Sequence, residues 1–303
     1  MYNNKVTVFT PAYNRGYIIG ELYESLKKQT CKEFEWLVVD DGSVDNTENL
    51  FSEWMKEDNE FTIRYYKKEN GGKHRAVNYA LDLACGELFY IVDSDDILTE
   101  NSIERVIQQI SELPANSDVK YAGICNLRGY YNGGIMGTTF EGDFIDCTAL
   151  EREKIGITGD KAEVVFTEIF RKYPFPEFDG EKFITEAVVW DRMANDGYHF
   201  RFFNEINYLC EYREDGLTNQ GLDLYYKNPL GYCLYLRQSK EYGKYTKRLQ
   251  EYFEVECYKN LKKEIAPKKL ADLLNIKLIN IKYKALYSSV KAKLSNIKNR
   301  ITQ

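Results

Sequence analysis

The stretch that decides the fold is Leu88-Phe89-Tyr90-Ile91-Val92-Asp93-Ser94-Asp95-Asp96. Five apolar residues in a row predict a short strand buried on both faces, as in a parallel sheet. The strand stops in three carboxylates within four residues. Such charges repel one another beside an apolar strand, and a divalent cation relieves that repulsion. Hard oxygen ligands of this kind suit Mg²⁺ or Mn²⁺, which take one or two carboxylates and complete their shell with substrate phosphates. A solvated acidic turn is the simpler alternative.

Working outward, the same grammar recurs on both sides. Val6 to Phe9 reads as a strand and is followed by Ile18, Leu22 and Leu26 at helical spacing. Phe34 to Val39 is a second strand, and Asp45-Asn46-Thr47-Glu48 offers a helix start with a carboxylate three residues on. Thr62 to Tyr66 is a third strand, broken from a helix near Arg75 to Ala84 by Asn70-Gly71-Gly72. After the acidic stretch come a helix with Ile103, Val106, Ile107 and Ile110 and a strand from Tyr121 to Cys125. Alternation of this kind predicts an α/β fold with a mostly parallel sheet covered by helices on both faces. Ligands bind such sheets at the carboxyl ends of the strands.

All the polar signals fall at those ends. Thr10-Pro11-Ala12-Tyr13-Asn14-Arg15 places a ring able to stack on a base, and an arginine able to meet phosphate, after the first strand. It also fits an ordinary strand-to-helix turn. Asp40-Asp41-Gly42-Ser43 follows the second strand, where a carboxylate can accept a ring N–H or cap a helix. Gly71 and Gly72 open a helix whose first backbone N–H groups can face an anion, with Lys73 and Arg75 adding charge for a diphosphate. The sequence is neither GxGxxG nor GxxxxGK[ST], so dinucleotide-binding and P-loop readings have no support.

Composition narrows the classes further. The 303 residues are 44% hydrophobic and 29% charged, which is globular usage. A net charge of -6 leaves no whole-chain basic footprint, so nucleic acid is not an expected partner. Seven cysteines without a CxxC pair exclude a zinc ribbon and argue for free thiols in a reducing compartment. Two histidines, His74 and His199, are too few for a three-histidine metal site. No signal-like or membrane-spanning run is visible, so a cytoplasmic protein is expected, at most attached to the inner face of the cell membrane.

Together Pro11-Ala12-Tyr13-Asn14, Val39-Asp40-Asp41-Gly42-Ser43, Asn70-Gly71-Gly72 with Asn78, Gly86-Glu87 and Asp93-Ser94-Asp95-Asp96 resemble the family 2 glycosyltransferases of GT-A fold. The resemblance covers residues 5 to 125 closely and 126 to 220 more loosely. It implies an inverting, nucleotide-sugar-dependent hexosyltransferase. Pro11, Ala12, Tyr13 and Asp41 would hold a uracil-type base. Arg15, Gly71 and Lys73 would serve the diphosphate. Asp93, Ser94 and Asp95 would form the DxD element, with Asp93 and Asp95 sharing ribose and a Mn²⁺ or Mg²⁺ ion, and Asp96 as a spare carboxylate. The donor would be a UDP-sugar and the acceptor a saccharide or lipid-linked saccharide, in surface polysaccharide assembly. The family's later Glu-Asp pair corresponds to Glu186-Ala187, so the second acid is missing. Glu186 is the expected base and Asp191 the runner-up. Trp190 could wall the acceptor or fill the core. A catalytically inactive nucleotide-sugar binder is the rival that Ala187 favours. A sugar-nucleotide pyrophosphorylase would need a Gly-rich signature where Pro11-Ala12-Tyr13 stands.

The expected organisation is a catalytic domain over residues 1–220, halved at 125, and a helical extension over 221–303. Residues 126 to 160 are Gly-rich and read as hairpins or loops, and a helix is expected over Phe183 to Asn195. From Leu261 onward there are 11 basic and 2 acidic residues, a net of 11 − 2 = +9 against -6 − 9 = -15 for the rest. Leu286, Val290, Leu294, Ile297 and Ile301 repeat at helical spacing, with Lys284, Lys291, Lys293, Lys298 and Arg300 largely off that stripe. This tail predicts either peripheral membrane contact or a helix packed on the rest of the protein.

Overall fold

The computed structural model describes residues 4–211, 213, 216 and 220–301, with side chains described as far as 289. Strand β1 (Asn4–Ala12) lies between β2 (Phe34–Asp40) and β4 (Gly86–Ile91), and β3 (Thr62–Lys67) extends the sheet beyond β2. All three of these pairings are parallel. The burial follows from that position: every residue of β2 is buried, as are Val6 to Thr10 in β1. Pro11 and Ala12 are the last residues of β1, in register with Val39 and Asp40, so the strand runs three residues past its expected end at Phe9.

Helices α1 (Gly20–Lys27), α2 (Thr47–Trp54), α3 (Lys73–Leu83) and α4 (Ser102–Ser111) join this part of the sheet. Leu22 and Leu26 are buried as their spacing predicts, whereas Ile18 is buried just ahead of α1. Helix α2 begins one residue later than a cap at Asp45 would require. Asp45 Oδ1 accepts from the Thr47 N–H and hydroxyl, and Oδ2 accepts from the Gly16 N–H. The carboxylate thus ties the loop after β1 to the start of α2. Helix α3 starts at Lys73, two residues before the expected Arg75, because Gly72 adopts φ 96° and turns the chain into it.

The rest of the sheet is mixed. Strand β5 (Ile97–Leu98) is followed by β6 (Lys120–Tyr130), β7 (Phe144–Cys147), β8 (Lys161–Phe166) and β9 (Tyr198–Cys210). The order is β3-β2-β1-β4-β8-β6-β9-β5, with β7 on β9. Strand β8 runs antiparallel to both β4 and β6, while β6 and β9 are parallel. The α/β class is as expected; the first four strands form a wholly parallel part, and beyond β4 parallel and antiparallel pairings mix. Strand β6 runs five residues beyond the expected end at Cys125. Helices α5 (Thr167–Phe170) and α6 (Ala187–Asn195) lie in the later half, α6 being shorter than the expected Phe183 to Asn195.

Compactness divides the chain into two units. One comprises Met1–Glu177 and Val189–Asn219, the other Phe178–Val188 and Gln220–Gln303. The second unit contains α7 (Gly221–Lys227), α8 (Pro229–Glu241), α9 (Lys247–Leu261), α10 (Pro267–Leu273) and α11 (Leu278–Ile301). Proline opens α8 and α10, where its missing N–H costs nothing. Glu181 accepts from the Leu230 and Gly231 N–H groups at the start of α8, which binds segment Phe178–Val188 into this unit. Its core is built from Leu236, Cys257, Leu261, Leu270, Leu274, Ile281 and Ala285. All seven cysteines are free thiols, with Cys233 and Cys257 Sγ 4.0 Å apart. Of the stripe expected in the tail, Leu286 is 66% exposed. The side chains of Val290, Leu294, Ile297, Ile301, Lys291, Lys293, Lys298 and Arg300 lie outside the described residues.

Candidate functional site

Two loop clusters meet at the carboxyl ends of β1, β2 and β4. The first is built on Asp41, which is 4% exposed. Its Oδ1 accepts from Lys68 Nζ at 2.7 Å and the Gly71 N–H at 2.9 Å, and its Oδ2 from the Gly72 N–H at 2.6 Å. The two glycine N–H groups therefore face a carboxylate of the protein rather than an open anion cradle. A carboxylate has about four lone-pair positions, so Oδ2 keeps capacity for one more donor. Neighbouring Asp40 is spent on structure: it accepts from the Ser43 N–H and the Tyr65 hydroxyl.

Tyr13 stands beside this cluster with half its surface exposed, 49%. Its backbone is fixed by Asn14, one of two non-glycine residues with positive φ among those described. The Asn14 N–H donates to Ser43 Oγ, and its Oδ1 accepts from the Val44 N–H. Asparagine tolerates the left-handed region because its amide bonds locally. Pro11 is half-buried and Ala12 buried at the end of β1. The Ala12 carbonyl accepts from the Asp41 N–H at 2.7 Å, which sets the two loops side by side.

The second cluster is the acidic turn after β4. Asp93 Oδ1 pairs with Lys73 Nζ at 2.6 Å, and Oδ2 lies 3.9 Å from Arg128. Burial would raise the Asp93 carboxyl, but Lys73 and Arg128 together hold it below the usual carboxylate range. Asp95 is shifted the other way, raised by burial and then by the Asp93 charge. Asp96, 7% exposed, is pushed up to about 7 by burial and then by Asp93. It accepts from the Tyr208 hydroxyl at 2.6 Å, and the Asp93 N–H donates to that hydroxyl at 3.0 Å. Ser94 is buried between the acids. The Arg15 charge acts on both Asp93 and Asp95. Lys73 follows directly on Gly72, so the start of α3 links the clusters: the glycine N–H groups just ahead of the helix reach Asp41, and its first side chain reaches Asp93.

This donor set fits a divalent cation. Three carboxylates crowd one turn, and Asp95 and Asp96 are raised by burial and then by repulsion from Asp93, which a cation would offset. Among the described residues no group of three or more His, Cys, Asp or Glu is arranged to hold a metal by itself. His199 lies on β9 with Nδ1 against the Gly197 carbonyl, away from any such role.

Two expected residues, Glu186 and Asp191, belong to neither loop cluster. Glu186 is half-buried in the second unit, just before α6. Asp191 is 1% exposed within α6 in the first unit, so its carboxyl is sealed from solvent. Trp190 packs against Phe170 and Phe200 at ring distances of 5.2 and 5.9 Å and is core. Three site residues escape the sequence reading. Lys68 follows β3 without a motif. Arg128 lies on the part of β6 beyond Cys125, and Tyr208 on β9, opposite each other in register. The Arg128 guanidinium sits 4.3 Å over the Tyr208 ring. The apolar alternation at Phe200, Phe202, Ile206 and Tyr208 was the available signal for β9.

Comparison with known proteins gives the family and the fold. Residues 7–173 match the family described as Glycosyl transferase family 2. The glycosyltransferase GlyG of Streptococcus pneumoniae is 41% identical over 112 residues, which is 37% of this chain and 36% of that protein. A GalNAc(5)-diNAcBac-PP-undecaprenol β-1,3-glucosyltransferase of Campylobacter jejuni is 25% identical over 265 residues, covering 84% of this chain and 82% of that one. Among solved structures, Staphylococcus aureus TarS 1–349 in complex with UDP-GlcNAc superposes with a TM-score of 0.64 at 18% identity. The superposition covers 97% of this chain and 92% of that one, and it shows a shared fold.

Proposed function

We propose that this chain, which belongs to glycosyl transferase family 2, is a metal-dependent inverting enzyme that moves a sugar from a UDP-sugar to an acceptor hydroxyl. The observation that carries the proposal is the acidic turn Asp93–Asp96, set between Lys73, Arg15 and Arg128 and joined through α3 to the Asp41 cluster. A uracil ring would stack on Tyr13 and donate its ring N–H to Asp41 Oδ2. Lys73 and Arg15 carry the positive charge that a diphosphate needs, with Lys73 exchanging Asp93 for a phosphate oxygen. Asp95 with Asp93 would hold a Mn²⁺ or Mg²⁺ ion, which would supply charge neutralisation for the leaving diphosphate.

Glu186 is assigned the general base. It takes the proton of the acceptor hydroxyl as that oxygen bonds to the anomeric carbon. The bond from that carbon to the diphosphate oxygen breaks, and UDP leaves with the electron pair. Attack from the face opposite the leaving group inverts the anomeric centre. The TarS complex with UDP-GlcNAc supports the choice of UDP. The polyprenyl-diphosphate acceptor named for the Campylobacter relative supports a lipid-linked saccharide acceptor and a role in bacterial surface glycan assembly. Seven free thiols support a reducing, cytoplasmic setting. A screen of nucleotide sugars by UDP release, followed by mass spectrometry of the product, tests this reading. One UDP-sugar turned over with a glycosylated product is expected. Tight UDP binding without turnover on any donor and acceptor would favour an inactive binder.

A further inference from the structure

Helix α11 is apolar on two opposite faces. One face is used inside the second unit: Ile281 is 0% and Ala285 6% exposed, packed with Leu261, Leu270 and Leu274. The other face carries Ile279, Tyr283, Leu286 and Tyr287, exposed at 75, 69, 66 and 60%. At about 100° per residue these four fall within an arc of about 100°. The sequence keeps apolar residues in that register at positions 290, 294, 297 and 301. Packing within the unit thus accounts for one face and leaves Ile279, Tyr283, Leu286 and Tyr287 of the second in solvent.

Charge decides what fits it. Helix α11 contains six basic and no acidic residues. On the same helical arithmetic positions 282, 293 and 300 border one edge of the outer arc, and 284, 291 and 298 the other. Lys282 is exposed, and Lys284 reaches back to Glu251 at 2.9 Å. Basic residues along both margins of an apolar arc can keep their ammonium groups at headgroup level while the arc enters the acyl boundary. Tyrosine favours that same layer. A second copy of this chain would have to bring two such cationic margins together, which like charge opposes. No described helix is long and apolar enough to cross a membrane, so the contact would be interfacial.

We infer that the outer face of α11 docks the protein on an anionic lipid surface, lying in the headgroup plane. This stands independently of the glycosyltransferase reading, because binding to lipid needs neither donor nor acceptor. The test is co-sedimentation of the full chain with phosphatidylcholine vesicles containing either no anionic lipid or about one-third phosphatidylglycerol, at low salt. Binding only to the anionic vesicles is expected, with loss at high salt. The quadruple variant Ile279→Ser, Tyr283→Ser, Leu286→Ser, Tyr287→Ser should bind at least about tenfold more weakly with an unchanged circular dichroism spectrum. Should that variant lose its fold, Lys282→Glu with Lys293→Glu supplies the second arm, and unchanged vesicle binding by it overturns the inference. Equal sedimentation of wild type and quadruple variant overturns it too. So does a dimer in sedimentation equilibrium that the quadruple variant dissolves while wild type ignores the vesicles, which would assign the face to a second copy.

Discussion

At the residue scale the site is a problem of carboxylate partners. Asp93, Asp95 and Asp96 stand in one turn, yet each is treated differently: two cations on Asp93, the Tyr208 hydroxyl on Asp96, and burial with the Asp93 charge acting on Asp95. Tyr208 is fully buried and serves two groups at once, donating to Asp96 and accepting from the Asp93 N–H. Tyr208→Phe orphans both, and a buried polar group without its partner costs about 1–3 kcal/mol. Urea unfolding should show a loss of that size, and unchanged stability would show the hydroxyl to be dispensable. Gly86 poses a steric question instead. A Cβ there would lie 2.3 Å from the Thr7 N and 2.5 Å from the Val6 carbonyl carbon, both backbone atoms. Gly86→Ala should therefore yield little soluble protein, because β1 and β4 cannot move apart within a parallel pair.

At the element scale, α3 and α6 carry the account. Asn78 of α3 accepts from the Phe175 N–H and donates to the Phe175 carbonyl and Glu177, while Arg75 pairs with the same Glu177. The helix that presents Gly72 and Lys73 is thus anchored one and a half turns on. Helix α6 decides the base. Glu186→Gln should keep UDP binding and lose transfer at least about 10²-fold, the lower range of general-base contributions. If Asp191→Asn shows that loss with its fold intact while Glu186→Gln does not, the base is Asp191. The first four strands and their acidic ends were legible because a doubly buried strand is an unbroken apolar run, and the motif residues sit where it stops. Arg128 and Tyr208 were not legible. They lie within β6 and β9, whose pairing joins residues about 80 positions apart, and nothing local marks that register. The role of Asp45 at the start of α2 was visible as residue type but not as partner, since Gly16 reaches it from another loop.

At the scale of the whole molecule, stability and charge both depend on pH. His74 is 3% exposed, and its Nδ1 has no hydrogen-bond partner. Burial, then Arg75, lowers its pKa to about 4 from 6.5. The unfolded chain therefore binds this proton first as pH falls. The stability is complete above about 6.5 and is lost progressively toward about 4. Between pH 7 and 5 the loss from this group is about 2 kcal/mol. His74→Leu should flatten the denaturation profile over that window by a similar amount. An unchanged slope would mean that the imidazole is not held neutral. Below that window Asp45, Asp146 and Glu177 act in the same direction, because hydrogen bonds and arginine partners outweigh burial and keep them depressed. The opposed charges of the two ends, net +9 beyond Leu261 and -15 before it, were plain in the sequence. Which face of α11 would be packed and which left in solvent was not, since both are apolar. The central claim is a transferase whose acidic turn works with a divalent cation. Its most direct test is UDP release from the identified donor by wild type in Mn²⁺ or Mg²⁺, by wild type in excess chelator, and by folded Asp95→Ala in metal. The account predicts turnover in the first case and none in the other two, and full turnover in excess chelator would contradict it.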